Sequence, residues 1–257
     1  MATILAVANQ KGGVGKTTTT LNLGMALAER GRRVLLVDLD PQGCLTLALG
    51  NTNEEGGSWA LFEEVGEVPV RTVAEGLALI PGGVEMAEME GRLKGTAAQA
   101  TVLRERLGGL TPQYDYVLLD CPPGLGALAL AGLQVAEAVL IPMQCDYLAL
   151  RGVALILRVI ELVREGANPQ LWIVGIVPTM YDRRTVHSDQ VVAAATERFG
   201  KLMLAGRIRY SAWLKKAPVA GESVLQYAAK SAVAEDYRRL AEEVIAHVEK
   251  RPGKQRG

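Results

Sequence analysis

Short apolar runs of four to six residues recur along the chain, each followed by a longer stretch whose apolar positions have helical spacing. The strand-like runs are Thr3–Ala8, Val34–Asp38, Leu77–Ile80, Tyr116–Asp120, Ala138–Ile141 and Trp172–Val177. Helical patterns cover Lys16–Arg30, Thr96–Leu107, Leu125–Ala136, Leu148–Arg164, Thr185–Phe199 and Ala232–Lys250. A strand that is apolar at consecutive positions is buried on both faces, which predicts a parallel sheet covered by helices. Alternation of the two element types then predicts an α/β fold with a doubly wound, mostly parallel sheet flanked by helices. With 257 residues, one domain is expected over residues 1–250, followed by a flexible basic tail at 251–257 that contains Pro252.

Composition narrows this little, because 28 acidic and 28 basic residues cancel. Local charge is more informative. From Gly50 to Gly91 there are nine Glu and one basic residue, Arg71. From Arg198 to Gly221 there are six basic residues and no acid, so a neutral chain can still present one cationic face. The three cysteines, Cys44, Cys121 and Cys145, show no CxxC spacing and read as buried thiols of a reducing compartment. Gly124 to Pro142 carries a single charge, Glu137, yet breaks into a helix and a short strand, whereas a membrane span needs about 20 unbroken apolar residues. No membrane association and a cytoplasmic location are expected, and the first residues run directly into a strand pattern without a leader.

The first strand leads into Lys11-Gly12-Gly13-Val14-Gly15-Lys16-Thr17-Thr18. Glycines there allow successive backbone N–H groups to point at a phosphate, and the N-terminus of the following helix adds partial positive charge. Lys16 is expected to reach the β- and γ-phosphates and the Thr17 hydroxyl to bind Mg²⁺, which predicts ATP and Mg²⁺ as ligands. An ordinary glycine turn would explain the glycines but not Gly-Lys-Thr. Two carboxylate clusters close predicted strands: Asp38-Leu39-Asp40-Pro41-Gln42-Gly43 and Asp120-Cys121-Pro122-Pro123-Gly124. Ligands of open α/β sheets sit outside the carboxyl ends of the strands, so both clusters should face the phosphate loop. Asp120 would hold a Mg²⁺-bound water, Asp40 would orient or deprotonate the attacking water, and Asp38 would support the magnesium shell. Gly43 and Gly124 supply flexible points for loops that sense the γ-phosphate.

The loop departs from G-x-x-x-x-G-K-[ST] by having Gln10 at the first glycine position and Lys11 after it. In this it resembles the deviant-Walker ATPases of the ParA and MinD type. VLLVDLDPQG, YVLLDCPPGLG, IPMQCDYLALRG and TMYDRRT extend the likeness to chromosomal ParA (Soj-type) partition ATPases over nearly the whole chain. The resemblance implies that Lys11 crosses to the phosphates of a partner subunit, giving an ATP-sandwich homodimer. It also implies that Met180 lies near the adenine, that double-stranded DNA is bound non-specifically, and that a ParB-like protein stimulates hydrolysis. Such a protein would be nucleoid-associated and act in chromosome or plasmid segregation, and the helix-turn-helix extension of large plasmid ParA proteins is not expected. Arg184 matches a family arginine that carries DNA binding. A second family arginine falls in a segment resembling P-R-N-V-R-L-S-E-A-P, where this chain has Trp213, with Arg209, Lys215 and Lys216 as additional cations.

Three other readings share the fold. A MinD-like ATPase that positions itself on a membrane surface or a protein cluster needs a terminal amphipathic helix, and Val244–Lys250 is only modestly apolar. An iron–sulfur reductase needs two cluster cysteines per subunit, and none of the three here has that context. An ATP-dependent ligase needs an acceptor pocket that no motif marks.

Overall fold

The computed structural model describes residues 2–50, 57–93 and 97–250. The expected tail at 251–257, residues 51–56 of the acidic stretch, and Thr96 lie outside them. In chain order the elements are β1 (Thr3–Val7), α1 (Lys16–Ala28), β2 (Val34–Asp38), α2 (Cys44–Ala48), β3 (Arg71–Ala74), β4 (Leu77–Ile80), α3 (Glu85–Arg92) and α4 (Ala97–Leu110). They continue with β5 (Tyr116–Asp120), α5 (Ala127–Val135), β6 (Ala138–Gln144), α6 (Ala149–Glu165), β7 (Trp172–Thr179), α7 (Val186–Phe199), α8 (Trp213–Lys216), α9 (Val224–Tyr227) and α10 (Ala232–Glu249). The seven strands form one sheet in the order β3-β4-β2-β5-β1-β6-β7. Every neighbouring pair is parallel except β3 with β4.

Alternation along each strand feeds two apolar layers. Leu35, Val37, Val117, Leu119, Val139 and Ile141 turn to the layer that holds Leu128 of α5 and Val153 and Ile160 of α6. Leu36, Leu118 and Leu140 turn to the opposite layer, with Leu23 and Leu27 of α1 and Tyr237, Leu240 and Val244 of α10. Both faces are thereby covered, as consecutive apolar strand positions require.

β6 and β7 run further than the sequence pattern indicates. Expected ends at Ile141 and Val177 each precede a proline, which ordinarily stops a ladder. β6 pairs with β1 only as far as Leu140, so beyond that point Pro142 has a strand neighbour on one side alone, β7. The extension carries Gln144 and Thr179 to the edge where the phosphate loop sits. β3 was not legible: it is a short antiparallel edge strand containing Arg71 and Thr72, without an apolar run.

Candidate nucleotide site and the cationic face beside it

The phosphate loop is held by contacts from outside itself. Asn9 is buried; its amide donates to Pro142 O at 2.7 Å and its Oδ1 accepts from the Lys11 N–H at 3.2 Å. The Thr179 hydroxyl donates to Val14 O at 2.8 Å, and the Gly124 N–H donates to Gln10 O at 2.9 Å. Gly15 caps α1 with φ 88°, a left-handed conformation that side-chain-bearing residues rarely adopt. Lys16 follows as the first helical residue, and its ammonium donates back to Lys11 O at 3.3 Å across the loop. Burial pushes the Lys16 pKa down, while the Asp120 and Asp40 carboxylates hold it up.

The strand register brings the carboxylates together, since Asp38 and Asp120 are direct neighbours at the ends of β2 and β5. Both are fully buried. The oxygens of Asp38 are already occupied: Oδ1 accepts from the Asp40 N–H at 3.1 Å, and Oδ2 from the Thr46 N–H at 3.0 Å and the Thr46 hydroxyl at 2.7 Å. Asp120 Oδ1 accepts from the Thr20 hydroxyl at 3.2 Å, whereas its Oδ2 is buried with no hydrogen-bond partner. Burial and the Asp38 charge push Asp120 up, to about 8, with the Thr17 and Thr20 hydroxyls opposing. Asp38 rises to about 6, again through burial first. A buried, unpartnered carboxylate oxygen beside the Thr17 hydroxyl is a hard-oxygen donor pair that fits a magnesium ion. Among the described residues no group of three or more His, Cys, Asp or Glu side chains is placed to hold a metal alone. A magnesium ion here would therefore draw its other ligands from phosphate oxygens and water.

Asp40 is nearly buried and accepts the Gln42 N–H at 2.9 Å. It lines a cleft of about 670 Å³ together with Gly13, Lys16, Thr17, Met180 and Pro218. Met180 has φ 52°, the one positive value outside glycine among the described residues. Such strained backbone persists only where its surroundings enforce it, and it clusters at ligand sites. Lys11 points elsewhere, its ammonium 3.2 Å from Asp146 and 3.4 Å from Gln144 Oε1.

A second cleft, of about 790 Å³, lies beside the first and is lined by Arg183, Arg184, Arg207, Arg209 and Tyr210. Its cations differ in availability. Arg209 is bidentate to the buried Asp236 at 2.6 and 2.8 Å, so its charge docks α10. Arg184 is exposed but bidentate to Asp182 at 2.9 and 2.8 Å. Arg207 pairs with Asp189 at 3.4 Å and lies over the Tyr181 ring. Arg183, Lys215 and Lys216 have no carboxylate partner among the described residues. The two lysines lie over aromatic rings instead.

The family model for an AAA domain matches residues 2–173. Chromosome-partitioning ATPase Soj of Thermus thermophilus is 46% identical over 245 residues, covering 95% of this chain and 96% of that protein. Chromosome partitioning protein ParA of Caulobacter vibrioides is 42% identical over 260 residues, covering 98% and 97%. The chain belongs to the ParA/Soj family. Among solved structures, cobyrinic acid a,c-diamide synthase from Mycobacterium smegmatis with bound ADP and magnesium superposes with a TM-score of 0.84 at 40% identity, over 97% of this chain and 96% of that one.

In this ParA/Soj chain, one cleft is lined by loop residues Gly12, Gly13, Gly15, Lys16, Thr17 and Thr18, with Asp40 and Met180. Asp38 and Asp120 lie at the neighbouring strand ends. Val14 is buried beneath the loop as the acceptor for Thr179. Arg209, an expected DNA-contact residue, lines both clefts with its guanidinium paired to Asp236. Sequence reasoning did not find Asn9, Thr46, Asp146 or Thr179. Asp146 carried a readable signal, an acid just past a strand's carboxyl end. Thr46 and Thr179 carried none, since a threonine in an α or β pattern is ordinarily structural.

Proposed function

We propose that this chain is a nucleotide-switched partition ATPase that hydrolyses ATP and binds double-stranded DNA non-specifically as an ATP-sandwich homodimer. The observation that carries the reading is the convergence of Lys16, Thr17 and the unpartnered Asp120 oxygen on the strand ends beside Asp40. Bound Mg²⁺ supplies neutralisation of charge on the β- and γ-phosphates. Lys16 donates to those phosphates, Thr17 and Asp120 supply the protein ligands, and Asp40 orients the attacking water and accepts its proton. Asp38 acts through Thr46 and the Asp40 N–H, holding the loop that follows β2 in register. Lys11 leaves Asp146 to reach a partner subunit's phosphates, which ties dimerisation to nucleotide.

Arg183, Lys215 and Lys216, with Arg184 once it leaves Asp182, form the DNA-facing set of each subunit. The three cations free of a carboxylate among the described residues give a dimer about six phosphate contacts without Arg184, and affinity then falls about a thousandfold between 50 and 200 mM salt. A ParB-like protein stimulates hydrolysis and releases the dimer, in segregation of a chromosome or plasmid by a cytoplasmic, nucleoid-associated protein folded as one domain over residues 1–250. ATP turnover measured with DNA and a ParB-like partner tests this: both together should raise the rate, and no response to either contradicts it.

The MinD-like alternative is weakened by α10, whose apolar residues Val233, Tyr237, Leu240 and Val244 are buried in the core. The similarity to a cobyrinic acid a,c-diamide synthase favours a second reading, ATP-driven amide synthesis. ADP formation that rises with cobyrinic acid and ignores DNA would support that reading instead.

A further inference from the structure

The stretch where the second family arginine is replaced carries rings as well as charge. Tyr210, Trp213 and Tyr227 are 51%, 43% and 41% exposed, large apolar areas that the core has not absorbed. Trp213 and Tyr227 are grouped, with centroids 6.0 Å apart and planes tilted by 55°. Each neighbouring lysine lies over a ring, Lys216 5.0 Å from the Trp213 centroid and Lys215 5.8 Å from that of Tyr210. Arg184 lines the same cleft as Tyr210, and Lys215 and Lys216 follow Trp213 on α8, so cations and rings are interleaved along this segment.

An arginine at position 213 would add a phosphate contact and nothing more. A tryptophan there loses that contact and offers a ring of about the size of a base, which a base can stack on once the Lys216 ammonium that lies over it moves to a phosphate. Duplex DNA has no use for it, because its bases are stacked on one another and present only their edges. Unpaired bases stack on such rings whatever their sequence, while the flanking ammonium groups take the adjacent phosphates. A bilayer is a poorer match, because interfacial binding calls for an amphipathic helix with an apolar face to bury, and the rings stand on and beside the four-residue helices α8 and α9. We infer that the Tyr210–Trp213–Tyr227 surface, with Lys215, Lys216 and Arg184, binds single-stranded DNA by base stacking. This rests on the reading that DNA meets this face, and adds that the face takes an unpaired strand as well as the duplex.

The test is fluorescence anisotropy of the full chain with ATP, using a labelled thymidine oligonucleotide of about 16 nucleotides and a duplex of the same length. Trp213→Ala should weaken the single strand about tenfold and the duplex less than about twofold. Trp213→Phe should retain most single-strand affinity. Trp213→Arg should lose it while tightening the duplex. In a Trp59→Phe/Trp172→Phe background, the remaining emission should be quenched by the oligonucleotide. Equal loss on both DNAs in Trp213→Ala, or no loss on the single strand, overturns the inference while leaving duplex binding intact as a separate result. Binding of neither DNA by the wild type removes the DNA reading together with it. ATP-dependent binding to anionic phospholipid vesicles that Trp213→Ala abolishes, without oligonucleotide binding, overturns it in favour of a membrane.

Discussion

At the scale of single residues, ion-pair partners decide which cations are available. Asp182 is held down to about 2 by hydrogen bonding to the Arg184 guanidinium. A carboxyl with a lowered folded pKa contributes fully above its usual value near 3.8 and loses that contribution as pH falls through about 2. The pair therefore stays intact from pH 5 to 8, and DNA affinity should not vary through it in that window. Asp182→Asn removes the competitor for Arg184, so binding should tighten and the slope of log affinity against log salt should steepen by about 0.9 per subunit. Salt titrations of the variant check both statements. Arg209→Ala should act on stability first. It strands Asp236, which is only 7% exposed, at a cost of about 1–3 kcal/mol once the 37% exposure of Arg209 is discounted. Thermal melting separates that loss from any change in DNA affinity.

At the scale of elements, the loop after β2 depends on close packing against residues just beyond β4. A Cβ on Gly82 would lie 2.6 Å from Asp38 O and 2.9 Å from its Cγ. Gly82→Ala must push the Asp38 backbone away, and should cost about 1–3 kcal/mol and depress ATP turnover beyond the loss of folded protein. Melting curves alongside initial rates measure the two effects. The helices with apolar periodicity and the strands with unbroken apolar runs were legible in the sequence, because burial on one stripe or two faces dictates those patterns. The same held for the loop, since glycines followed by Gly-Lys-Thr have few other uses, and for the strand-terminal aspartates only because they accompany that loop. The remainder depended on tertiary contact. β6 and β7 pass prolines because part of their length has a ladder on one side only. Asp38 and Asp120 look equivalent in sequence, and only the neighbouring Thr46 makes one of them a bracket and leaves the other with a free oxygen.

At the scale of the whole molecule, the two clefts share Arg209, Tyr210 and Ser211, so nucleotide and DNA surfaces meet at one segment. That segment is tied to β7 by the Tyr181 and Ile208 backbone bonds, which gives the nucleotide cleft a short route to the cationic face. Lys11 is parked on Asp146 in the single chain, and Lys11→Ala should leave the fold and ATP binding in place while abolishing the dimer. Sedimentation with a slowly hydrolysed ATP analogue would report the species present. The most direct measurement of the central claim is a mobility shift on duplex DNA with ATP, ADP and no nucleotide, comparing wild type with Arg183→Glu/Arg184→Glu. Nucleotide-switched binding predicts retardation with ATP alone, lost in the variant and eroded about a thousandfold between 50 and 200 mM salt. Equal retardation in all three nucleotide states, or none in any of them, would contradict it.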